Sequence, residues 1–173
     1  MITVLVLTAV VAAAAALAIA YVMTRSPSGE LVELAAELTA QRAGERADVD
    51  AQAARIAELA QRGEIEDADV ATAQLLFELI RRDPPPGADV AAVRALAAMA
   101  AAYVERDAED DLDRTVGAIE ANRERLGGEA TALAVARLRG IAISLAIRGR
   151  GDQAERVRAV QDALATRSPG SGS

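Results

Sequence analysis

From Ile2 to Thr24 the chain carries no charged side chain: ITVLVLTAVVAAAAALAIAYVMT. As a helix this run spans roughly 33–35 Å, enough to cross a bilayer core. Tyr21 falls near its end, where an amphipathic ring favours the membrane interface, and Arg25 and Ser26-Pro27-Ser28-Gly29 close it. The expectation is a single transmembrane helix over residues 1–24 and a linker over 25–29. A cleaved signal peptide is the competing reading, with Ala16-Leu17-Ala18 and Ala18-Ile19-Ala20 as A-x-A sites. Against it stand the missing basic leader and an apolar run longer than the usual ~7–15 residues.

Ala12, Ala16 and Ala20 repeat at i+4 along one face of this run. Small faces of this kind allow close helix contact in lipid, where packing drives association. They are the candidate residues for docking onto another membrane helix; generic alanine bias explains the same pattern. Orientation is set only by Arg25, since nothing basic precedes the span but the α-amine. The expectation is therefore a following domain on the cytoplasmic side.

All 45 charged residues lie in positions 25–173, and every one of the 19 basic residues is Arg. With 26 acids the net charge is −7. Lys, His, Cys and Trp are absent. Their absence removes disulfides, thiolate nucleophiles, zinc-thiolate sites, imidazole bases, Schiff bases and the phosphate-binding loop that requires Lys. Only carboxylates, hydroxyls and Arg remain, which leaves carboxylate-only chemistry open in principle; the expectation is no enzyme and no cofactor. Arg to the exclusion of Lys, with 43 Ala, looks like GC-rich coding and an expected bacterial origin.

Alanine is the strongest helix former, and β-branched or aromatic runs are scarce beyond the leading segment. The fold class is all-α: the anchor, then about seven helices arranged as antiparallel hairpins, or an irregular bundle. Gly and Pro set the expected boundaries. The first helix, 30–43, carries Leu31, Leu34, Ala35 and Leu38 and ends at Gly44. The second, 46–62, uses Val49, Ala53, Ile56 and Ala60. The third, 67–82, starts after Asp67 and packs Val70, Ala73, Leu76, Phe77 and Ile80. Pro84-Pro85-Pro86-Gly87 cannot continue a helix, so 30–83 and 88–166 read as two helical regions around a break at 84–87.

Beyond the break, helix 88–106 carries Val90, Val93, Ala97, Ala100 and Val104, and helix 109–126 carries Leu112, Val116 and Ile119. Helix 129–148 is apolar almost all round and is expected at the centre of the domain, too interrupted by Arg137 and Arg139 to be a second span. Helix 152–166 shows Val157, Val160 and Leu164, and 167–173 is set aside as a flexible tail. Residues 111–121 echo 152–162 at an offset of 41, each opening on an Asp placed to cap a helix, and 56–62 echo 76–82 at an offset of 20. Such echoes arise from helical-hairpin repeats or from the similarity of all Ala/Glu/Arg helices.

Leu138, Ile141, Ala142, Leu145, Gly149 and Ala154 fall at the spacing of the large, large, small, large, Gly and Ala positions of a tetratricopeptide unit. Residues 129–166 therefore loosely resemble that family, although Arg158 and Gln161 stand where it has an aromatic and a small residue. The resemblance implies stacked helix pairs with a concave surface for peptides or protein segments.

Two charge clusters stand out. Asp107, Glu109, Asp110, Asp111 and Asp113 invite a calcium-loop reading, but Leu112 replaces the required Gly and Ala118 the last Glu; acids in a helix's first turn account for them. Arg137, Arg139, Arg148, Arg150, Arg156 and Arg158 form a basic counterpart. Arg148, Arg150 and Arg156 are the candidate contacts to anionic lipid or a protein partner; the alternative is pairing with the acids of 105–113. An acidic domain poor in aromatics argues against nucleic acid. The expected function is a membrane-anchored, non-catalytic scaffold or accessory subunit within a membrane complex. The alternatives are a self-assembling homo-oligomer, and a metal-binding protein or hydrolase using Glu64, Glu66, Asp67 and Asp69 or the 107–113 acids.

Overall fold

The computed structural model describes residues 29–166, and all secondary structure in them is helical. The expected span over 1–24, with Ala12, Ala16 and Ala20, lies outside the described residues. The elements are α1 (Gly29–Arg62), α2 (Ile65–Ile80), α3 (Ala88–Glu105), α4 (Glu109–Ala121), a 3-10 turn (Arg123–Arg125), α5 (Gly128–Ile147) and α6 (Gly151–Ala165). The chain divides into two units. In the first, the described part is the leading portion of α1, where Leu34, Ala35 and Leu38 are exposed. The second, from Ala43 onward, holds the core.

The expected break at Gly44 is absent: α1 runs unbroken through it for 34 residues. A single Gly costs a helix about 1 kcal/mol, and the flanking Ala, Glu, Gln and Arg offset it. Six α-helices therefore stand among the described residues where seven were expected.

Three turns organise the second unit. Gly63, Asp107 and Gly149 take left-handed backbone, with φ of 84°, 55° and 77°. The N–H of Gly63 donates to Ala60 O (3.2 Å) and that of Glu64 to Leu59 O (3.0 Å). Asp107 and Ala108 repeat this with Val104 and Tyr103, and Gly149 and Arg150 with Ala146 and Leu145. Each is the paired bonding that closes a helix on a left-handed residue. Each turn then starts a new helix, so α1–α2, α3–α4 and α5–α6 are three helix pairs. Inside the second helices the register repeats: Ala68, Leu112 and Ala154 are fully buried, and their N–H groups bond to Glu64 O, Ala108 O and Arg150 O.

The core face matches expectation in most helices. Val49, Ala53, Ile56 and Ala60 are buried, as are Val90, Val93, Ala97, Ala100 and Val104, and Leu112, Val116 and Ile119. The centre, however, is α3 rather than the 129–148 helix. Two-thirds of α3 is buried, and its alanines let neighbouring axes approach closely. In α5, Leu138, Ile141, Ala142 and Leu145 are buried while Ile143 and Ile147 are exposed. Among the described residues α5 alone is long and apolar enough, by length and composition, to cross a membrane; here its inner face packs on α3 and α6.

The expected face of α2 is wrong. Ala68, Thr72, Leu75 and Leu79 are buried, whereas Val70, Phe77 and Ile80 are 60%, 64% and 50% exposed. Bulk concealed the answer, because the inner face includes a small Ala and a Thr whose hydroxyl is satisfied by Ala68 O at 2.7 Å. The expected caps also move. The second helices start before Asp67, Asp111 and Asp152, on Glu64, Ala108 and Arg150, without side-chain capping bonds. Those acids sit in the first turn, where they complement the helix dipole.

Candidate interaction groove and the arginine seam

The first helix of each pair, α1, α3 and α5, lines a common open groove of about 1050 Å³. Its floor is built from small side chains: Ala54 and Ala57 on α1, Ala98 and Ala101 on α3, Ala136 and Gly140 on α5. Small residues on facing helices leave a trough that bulky side chains of another helix can enter. Arg62, Arg94, Arg106 and Arg137 line it against Asp50 and Glu105, a positive excess within an acidic chain. Arg94 reaches Asp50 at 2.9 Å, joining α3 to α1. Arg106 donates to Gly63 O at 2.7 Å. Arg137 has no ion pair among the described residues.

The three candidate arginines meet the acids of the preceding pair. Arg148 pairs with Glu105. Arg150 donates to Asp107 at 2.9 Å and to Val104 O at 3.3 Å, with only 17% of its side chain exposed. Arg156 bridges Glu109 (2.6 Å) and Asp113 (3.3 Å). Together they form a seam between the second and third helix pairs. Arg137, Arg139 and Arg158 of the same basic cluster are unpaired there.

The seam shifts protonation. A hydrogen bond from Gln153, then one from Arg156, holds the Glu109 carboxyl below its ordinary value of 4.5. Bonding to Glu109 raises the already high Arg156 value further. Elsewhere Tyr103, nine-tenths or more buried, donates to Asp69 at 2.7 Å, joining α3 to α2. Burial first, and that bond second, push its phenol well above the ordinary 10.0.

Of the acids considered as metal ligands, Asp107, Glu109 and Asp113 point at arginines, and Asp111 pairs with Arg114. Asp69 is taken by Tyr103. Among the described residues no three acidic side chains converge in a metal-binding arrangement.

One signal escaped the sequence reading. An Arg precedes the left-handed residue of each turn that joins a helix pair, as Arg62-Gly63, Arg106-Asp107 and Arg148-Gly149, with these turns 44 and 42 residues apart. The offset-41 echo marks α4 and α6, second helices of successive pairs. The offset-20 echo matches the ends of α1 and α2 within one pair. The six residues of the tetratricopeptide resemblance lie in α5, its turn and α6, with Leu138, Ile141, Ala142, Leu145 and Ala154 buried. The turn spacings exceed the ~34-residue period of that family. Comparison with protein-family models, with curated proteins and with solved structures finds no match.

Proposed function

We propose that this chain is a membrane-tethered, non-catalytic scaffold subunit whose groove holds a helical segment of a protein partner. The charge-free run Ile2–Thr24 supports the tether, and Arg25 behind it supports a cytoplasmic soluble part. The observation that carries the binding role is the groove itself: three successive helix pairs contribute their first helices to one trough floored by Ala and Gly. A segment with bulky apolar side chains and acidic flanks suits that floor and the surplus of Arg around it.

The test is purification of the full chain in mild detergent with identification of co-purifying subunits. Gly140 lines the trough and nothing lies within 4 Å of where its Cβ would be, so Gly140→Leu puts bulk into the trough from a position with room for the first side-chain atom. The partner is expected to be lost from Gly140→Leu while helical content is unchanged. Recovery of the wild type alone, or retention of the partner by Gly140→Leu, overturns the binding role. Mature protein in the aqueous fraction, lacking its first twenty residues, overturns the tether.

A further inference from the structure

Val70, Ala73, Phe77 and Ile80 are all exposed and recur at i, i+3, i+7 and i+10 along α2. That spacing makes one continuous stripe, on the opposite side of the helix from the buried Ala68, Thr72, Leu75 and Leu79. Single exposed apolar residues need no explanation, but a stripe with an open phenyl ring does. We infer that this stripe is a self-association face, through which two copies of the chain pack α2 against α2 in antiparallel register.

Size and charge both select a second copy and this direction. About a twofold axis near position 75, Ala73 of one copy lies opposite Phe77 of the other, and Val70 opposite Ile80. Each ring thus fills the space left by a methyl group. Such pairing of large with small is self-complementary, as a twofold interface requires. Glu66 lies on the same stripe, one turn before Val70, and Arg82 follows the helix end. Neither has a side-chain partner among the described residues. Antiparallel packing brings Glu66 near Arg82 of the second copy and sets the helix dipoles head to tail. Parallel packing would place like charges together. One helix face is smaller than a standard interface of about 800 Å² per partner, so the association is concentration-dependent and is favoured when both copies share a bilayer. The stripe and the groove are formed by different helix faces, and the dimer does not rest on the groove reading.

The test uses the full chain in detergent. The chain has no Cys, so single Cys substitutions report geometry cleanly. Differently tagged Ala73→Cys and Phe77→Cys chains, mixed, are expected to form a mixed disulfide about tenfold faster than Val70→Cys with itself. Antiparallel register leaves the two Val70 positions about 15 Å apart along the helices. Particle mass is expected to fall from two chains to one in Phe77→Asp with circular dichroism unchanged, and to stay at two in Gly140→Leu. If Phe77→Asp loses helicity, the charges decide. Glu66→Arg weakens dimerisation about threefold, and mixing it with Arg82→Glu chains restores it. One chain per particle in the wild type, two chains in a folded Phe77→Asp, or faster linking by Val70→Cys overturns the proposal.

Discussion

Arg106 reaches back 43 residues to donate a hydrogen bond, 2.7 Å long, to the carbonyl oxygen of Gly63. The bond ties the turn of the second helix pair to that of the first, as Arg148 and Arg150 tie the third to the second. Gly63 is held in left-handed backbone, and a Cβ there would lie 2.6 Å from the Arg106 guanidinium. Gly63→Ala is therefore expected to cost about 1–2 kcal/mol from backbone conformation alone. Urea unfolding followed by helix circular dichroism measures it. Arg106→Ala should cost less, and the two changes together less than their sum, because both lose the same bond.

The helical class was legible because alanine content and the Gly and Pro positions act locally. The core faces of α3, α4 and the later part of α1 were legible because their large residues recur on one side. The α2 face was not, since close packing put Ala68 and Thr72 inward and left Phe77 out. The pairing of Arg150 with Asp107 was visible only as opposite charges at a distance in sequence. The groove was not legible, because a trough floored by alanine looks in sequence like any helix-forming run.

Gly44 offers the opposite case to Gly63. It lies inside α1 with ordinary helical backbone, and nothing approaches within 4 Å of where its Cβ would be. Gly44→Ala is expected to stabilise the chain by about 0.5–1 kcal/mol. A rise in unfolding midpoint with unchanged denaturant slope is the measurement that checks it.

Within the arginine seam, Arg150 is the most enclosed member and bonds both a carboxylate and a backbone carbonyl. Arg150→Ala is expected to cost about 1 kcal/mol. Substitution of Arg137 or Arg158, unpaired and exposed, should leave stability unchanged. Partner binding is therefore better probed at Arg137 than at Arg150, where lost affinity and lost stability would be confounded. Urea unfolding of the three variants separates these outcomes.

Protonation offers a second measure of the same seam and of the α2–α3 junction. The folded chain depresses the Glu109 carboxyl, so its contribution is present above 4.5 and is lost as pH falls below that value. The Glu109→Gln variant should show a shallower loss of stability on acidification. Tyr103 behaves in the opposite sense. Its folded value lies above 10.0, so its contribution is whole below that pH and is lost above it. Spectrophotometric titration should show the Tyr103 phenol ionising only as the chain unfolds, and Tyr103→Phe should remove that coupling.

The assignment of faces on α2 gives the sharpest mutational contrast. Leu75 is fully buried among the helices of the core, and Phe77, two residues on, is 64% exposed. Leu75→Ala removes buried methyl groups and leaves a cavity, a change that costs about 2–5 kcal/mol. Phe77→Ser removes a larger side chain, yet at a low concentration of single chains it should shift stability by about 0.5 kcal/mol or less. If concentration is raised, the wild type should gain stability from association and Phe77→Ser should not. Unfolding curves at two protein concentrations check both statements. A large loss in Phe77→Ser at the lower concentration would mean that the ring is covered within a single chain.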